Sequence, residues 1–134
     1  MMNSFFTLER IQATGGSMLR AARFIPSLAI AVFIFWASSQ PGTDLQLIAH
    51  ADKVIHYVIY ALLMLSCLYG AQFPGPPKNW VWAMICALYA VSDEWHQSFV
   101  PGRDATLGDV IADISGVVSV VLISMFWLRP RQPQ

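Results

Sequence analysis

Three polar strings interrupt an otherwise greasy chain, and their residue types could do chemistry. Asp52, His56 and Tyr60 follow one another at four-residue spacing, with Lys53 beside the first. On a helix that spacing stacks carboxylate, imidazole and phenol on one face. Lys53 could meet a phosphate or carboxylate there as a flexible point charge. The second string, Asp93-Glu94-Trp95-His96-Gln97, closes an apolar run. Glu94 is the leading candidate, because a carboxylate at the end of a membrane segment is costly to keep unless it faces a bundle interior, a wet cavity or a partner charge. It could serve as general acid or base. Either Asp93 or Glu94 can share a helix face with Gln97, which His96 does not; His96 reads as an interfacial, water-accessible imidazole. The third string places Arg103 ahead of Asp109, Asp113 and Gly116, which share one stripe. Arg103 offers a bidentate fork for phosphate, the two acids could hold a cation or pair with Lys53 or Arg103, and Gly116 would let a neighbouring helix come close.

Each of these residues also has a plainer reading. Asp52 and Lys53 could be a helix-start acid and a snorkelling base, and His56 and Tyr60 could make interhelical hydrogen bonds. Asp109 sits where an acid favours a helix start, with Thr106 or Gly108 as the cap. A metal-dependent enzyme would have to draw on His56, Glu94 and Asp109, but no spacing of a recognised metal motif is present. No metal and no other cofactor is expected.

The elements that position these strings follow from composition. Of 134 residues, 56% are hydrophobic and 12% charged, about half the charged share of an ordinary soluble domain. Apolar stretches at residues 24–37, 54–71, 80–91 and 110–128 approach the roughly 17–25 residues a spanning helix needs, the first and third only with their polar flanks. The fold expected is an all-α polytopic membrane bundle of four transmembrane helices. Arg10, Arg20, Arg23, Lys78, Arg129 and Arg131 fall on one side of that layout, and Lys53 and Arg103 on the other. The positive-inside rule then puts both termini in the cytoplasm. Every acid except Glu9 gathers at the outer face. The first helix is expected to stay uncleaved, since loss of a signal peptide would leave three spans. Residues 1–23 form a cytoplasmic N-terminal segment, 24–128 the membrane domain, and 129–134 a cytoplasmic tail.

Connectors are legible from proline and glycine. Gln40-Pro41-Gly42 ends the first helix, and residues 44–51 could form a short interfacial turn. Phe73-Pro74-Gly75-Pro76-Pro77 cannot be helical, and Val100-Pro101-Gly102 makes the second outer turn. Trp36, Trp80, Trp82, Trp95 and Trp127 lie near span ends, as interfacial aromatics do. Cys67 and Cys86 fall inside spans and read as packing residues.

Taken in order, Ser38-Ser39-Gln40-Pro41-Gly42, the Asp52-Lys53, His56 and Tyr60 face, Asp93-Glu94 with Gln97, Val100-Pro101-Gly102-Arg103, and Asp109 through Gly116 resemble the VanZ-like membrane proteins, over roughly residues 24 to 128. One departure is visible: Asp113 stands where the family usually has asparagine. The resemblance implies a multi-span protein of the bacterial cytoplasmic membrane, in a family whose founding member is linked to resistance to the glycopeptide teicoplanin. It implies no agreed reaction. Three functions are open at this point. The first is an outward site for an anionic envelope molecule, a polyprenyl phosphate or peptidoglycan precursor, held by Lys53 and Arg103 with Glu94 as acid or base. The second is a small-solute or proton-coupled transporter subunit relaying through Asp52, His56, Glu94 and Asp113, which would need a homo-oligomer. The third is a structural or assembly subunit. The lipid bilayer is the certain partner, and no nucleic acid is expected.

Overall fold

Proline, glycine and hydropathy place the helices. In the computed structural model, residues 16–42 and 51–127 are described. Residues 44–50 of the anticipated turn, residues 1–15 of the N-terminal segment and the tail from 129 lie outside them. Helix α1 spans Ile25–Ser38, α2 Ala51–Gly70, α3 Lys78–Gln97 and α4 Leu107–Trp127. A helical stretch at 16–22 leads into α1 through a turn at 23–24, and a proline sits in the first turn of α1, where its missing amide proton costs nothing. Residues 71–77 are non-helical, as their prolines require. There Phe73 N donates to Leu68 O at 2.7 Å, capping the end of α2.

Among the described residues these four helices form, but three segments are long and apolar enough to cross a membrane: Gly16–Ser38, Ala51–Gly70 and Leu107–Phe126. The four-span expectation is therefore met only for these three. Helix α3 has the length, 20 residues. Its polar ends, Lys78-Asn79 and residues 92–97, dilute its hydropathy.

Each helix turns a stripe at three- and four-residue spacing into the bundle. On α2 it is Tyr60, Leu63, Met64, Cys67 and Leu68; on α3 Ala83, Cys86 and Ala90; on α4 Val117 and Val121; on α1 Ile34. The outward faces are also apolar, with Leu28, Val32, Val54, Val58, Leu62, Leu88 and Ile111 exposed. A soluble protein would not expose apolar side chains on every face; a helix bundle in lipid does.

Helices α2 and α4 make the most extensive pairing, and Gly116 explains why. A side chain at that position would run into the Tyr57 carbonyl oxygen and the Ala61 amide of α2, so only glycine permits this approach. The loops after α1 and α3 meet in the same way. Gly42 N donates to Pro101 O at 3.2 Å, and a side chain on Gly42 would collide with the Gly102 carbonyl. The helices thus alternate in direction, and their polar strings collect at one end of the bundle.

Candidate functional site

The polar end is assembled from all four helices. On α2, His56 is largely buried and Asp52 is exposed; His56 Nε2 lies 3.9 Å from Asp52 Oδ1, as the four-residue spacing predicts. Its other nitrogen, Nδ1, lies 3.0 Å from Asp113 Oδ1 of α4. Lys53 Nζ donates to Asp109 Oδ1 at 2.8 Å. The lysine proposed for phosphate is thus engaged by one of the two α4 acids. Tyr60, one turn deeper, is buried with its hydroxyl near Asp93, without a hydrogen bond of good geometry.

On α3 the two adjacent acids divide their work. Asp93, 3% exposed, accepts from Ser38 Oγ at 2.6 Å and from Gln97 Nε2 at 3.1 Å, which ties α1 to α3. Glu94 reaches the start of α4 instead, where its Oε1 accepts from the Thr106 amide at 2.6 Å. Thr106 in turn donates its hydroxyl to Asp109 Oδ2 at 2.6 Å. In an ordinary capping box the acid three residues into the helix takes the cap's amide. Here a glutamate from another helix takes it, and Asp109 is left to hold Lys53 and the Thr106 hydroxyl.

Arg103 departs from its expected role. Its Nε donates to Gln40 O at 3.1 Å and its Nη2 to Ala37 O at 2.6 Å. Ala37 O also accepts from the Gln40 amide at 3.2 Å, and the guanidinium completes the cap at this end of α1. His96, assigned to the water-accessible interface, is partly buried. It sits 3.0 Å from Ser39 Oγ and stacks on Phe35 with ring centroids 4.8 Å apart.

A groove of about 270 Å³ opens between α1, α2 and α3. Phe33, Ile34, Ile55 and Ile59 form its apolar walls, and Ser38, Asp52, His56, Asp93, Gln97 and Arg103 its polar end. Lys53, Glu94, Asp109 and Asp113 lie outside this lining. Behind it, two overlapping triads bring possible metal donors together, Asp52–His56–Asp109 and His56–Glu94–Asp113, each with one atom per residue within 4.8 Å of the others.

A family model described as VanZ/LLP1 matches residues 2–128. The chain belongs to the VanZ/LLP1 family. The resemblance read from the ordered strings is therefore borne out, and with it a membrane protein built of apolar helices. No curated protein and no solved structure matches the chain. Of the eight residues singled out in this VanZ/LLP1 sequence, His56, Glu94, Asp109 and Asp113 come together with Lys53, whereas Tyr60, Gln97 and Arg103 line the groove together with His56. Sequence reasoning did not single out Asp93 and Ser38 as site residues. Their signals were present in the Asp93–Gln97 spacing of four and in the hydroxyl pair ahead of Gln40-Pro41-Gly42, but no sequence pattern joins them across 55 positions.

Proposed function

We propose that this VanZ/LLP1 protein is an integral protein of the bacterial cytoplasmic membrane whose polar end faces outward and binds an anionic envelope lipid or lipid-linked peptidoglycan precursor. The groove supports this reading best. It pairs a polar end with an apolar wall, the pattern a headgroup and the first carbons of its chain require. The two cations first assigned to phosphate are not equivalent. Lys53 is held by Asp109 away from the groove, while Arg103 lines it, with two of its three nitrogens already donating to the end of α1. Phosphate contact therefore falls to Arg103 and His56. Ser38, Asp52, Asp93 and Gln97 supply partners for hydroxyl and amide groups, which suits a sugar- or peptide-bearing headgroup better than a bare phosphate.

The test fills the groove from its rim. Ile55 is 60% exposed and lines the wall, so Ile55→Trp should fold normally while occluding the site. Lipid-linked precursors co-purifying with the protein, measured by mass spectrometry, should fall in this variant. In a host where deletion alters teicoplanin susceptibility, the variant should behave like the deletion at equal membrane abundance. Unchanged lipid content together with unchanged susceptibility would remove the reading.

A structural reading is favoured for two residues by specific contacts. Glu94 caps α4 and Arg103 caps α1, and in both cases the side chain satisfies backbone groups that no helix can satisfy itself. Their loss would damage the bundle whatever it binds.

A further inference from the structure

The strongest unexplained feature of the molecule is a pair of orphaned carboxylate oxygens behind the groove. Asp113 is fully buried and Glu94 is 7% exposed. Each uses one oxygen, Asp113 Oδ1 toward His56 and Glu94 Oε1 toward the Thr106 amide. The remaining oxygens, Asp113 Oδ2 and Glu94 Oε2, are buried without a hydrogen-bond partner. Two carboxylates of this kind held side by side are costly, because burial strips their hydration and nothing replaces it. Among the described residues, His56 is the one basic side chain in ion-pair contact with either. Lys53 is committed to Asp109, and the Arg103 donors to carbonyls.

The geometry points to a divalent transition-metal site formed by His56, Glu94 and Asp113, one ligand from each of α2, α3 and α4. Donor atoms of the three lie within 4.8 Å of one another, and His56 Nδ1 and Asp113 Oδ1 are 3.0 Å apart. Bonds of about 2.0–2.2 Å place neighbouring ligands about 3.0–3.5 Å apart, so small side-chain rotations close the set. One neutral imidazole and two carboxylates balance the ion's double charge. An imidazole with carboxylates suits Zn²⁺ ahead of Mg²⁺ or Ca²⁺, which prefer oxygen alone. Three protein donors leave at least one position for water or another ligand. The overlapping triad through Asp52 and Asp109 is the weaker alternative. Asp109 Oδ1 is bound by Lys53 and Oδ2 by the Thr106 hydroxyl, and Asp52 is exposed. The site shares His56 with the groove, but through different atoms: Nδ1 faces Asp113, while Nε2 faces Asp52 in the groove lining.

Zinc alone tests it. Untagged full-length protein in detergent micelles, stripped with chelator, should bind one equivalent of Zn²⁺ by calorimetry and by metal content after gel filtration. Asp113→Asn and Glu94→Gln should each weaken binding about 10-fold or more. Gln at 94 keeps an acceptor for the Thr106 amide, so that variant separates the metal role from the cap. The double change Cys67→Ser with Cys86→Ser should bind as wild type. Failure of the wild type to bind Zn²⁺, with the carboxylates holding a proton instead, would overturn the site. So would undiminished binding by the Asp113 and Glu94 variants. If those variants do not fold, Co²⁺ loading of the wild type decides: a weak visible band without an intense thiolate charge-transfer band fits His56 and carboxylates, and a strong thiolate band assigns the metal to Cys67 and Cys86 and refutes the proposal. No lipid enters these measurements, so their failure leaves the groove reading standing.

Discussion

The two ends of the bundle bury polar groups in opposite ways. At the end formed by residues 70–78 and the close of α4, the core is Leu68, Cys67, Cys86, Ala83 and Val121. Only neutral polar groups interrupt it among the described residues: Asn79 Nδ2 donates to Ser124 Oγ at 2.8 Å, that hydroxyl passes its own proton to Val121 O at 2.7 Å, and Ser27 is buried beside Cys67. Cys67 and Cys86 are free and buried, with their sulfurs 4.0 Å apart. At the other end, charged groups of α2, α3 and α4 interlock with one another and with α1: Ser38 with Asp93, His56 with Asp113, Lys53 with Asp109, Glu94 with the start of α4 and Arg103 with the end of α1. A neutral pair solves a local problem on two helices. A charged network makes the placement of each helix depend on the others, which suits a site that must hold its geometry. Between the two ends, Met64 and Val117 are fully or almost fully buried. A relay through Asp52, His56, Glu94 and Asp113 would meet this apolar layer below Tyr60, so within one chain it would end at the polar end.

This contrast can be broken most severely where the two ends share a helix contact. Gly116→Leu puts a side chain into the Tyr57 backbone and should cost about 3 kcal/mol or more, enough to abolish the monodisperse species on gel filtration. Survival of the folded protein would mean α2 and α4 can separate without loss. Asp93→Ala comes next. It removes the acceptor of the Gln97 amide and the tie from Ser38, whose hydroxyl is left with Phe35 O, and should cost about 1–3 kcal/mol in reversible unfolding in micelles; a change near zero would show that the polar end is less interlocked than its contacts imply.

Smaller effects sharpen the comparison. Arg103→Lys keeps the charge but loses the planar fork that reaches two carbonyls. The end of α1 should fray, with faster amide exchange at Ser39 and Gln40 and about 1 kcal/mol of lost stability; protection equal to wild type would show that the fork is unnecessary. At the opposite end, Asn79→Ala should cost only about 0.6 kcal/mol, the average for a hydrogen bond between membrane helices, and should leave Zn²⁺ binding unchanged. A larger penalty, or altered metal binding, would mean that the two ends are coupled.

Much of this molecule was legible along the chain. Apolar runs with proline and glycine breaks gave the four helices, and i, i+4 spacing placed Asp52, His56 and Tyr60 on one face and Asp109 and Asp113 on another. Gly116 was readable as a point of close approach. The hydropathy of α3 was read too generously, since its polar ends lie within the helix itself. The hold of Arg103 on the end of α1 was not legible, because its partners are backbone carbonyls 63 and 66 positions away, and nothing in a side-chain pattern reports which carbonyls a guanidinium will reach. No metal motif appears in the sequence because His56, Glu94 and Asp113 come from three helices, whereas motifs register donors on one helix or in one loop.

What the sequence determined by itself is therefore which residues share a face, because helical periodicity is a property of the local backbone. Which faces meet was decided only by tertiary packing. Gly116 lets α2 and α4 approach closely, Gly42 lets the two polar loops touch, and the resulting burial turns Asp93 into a tie between helices, Glu94 into a cap, and Asp113 with His56 into the back wall of a site.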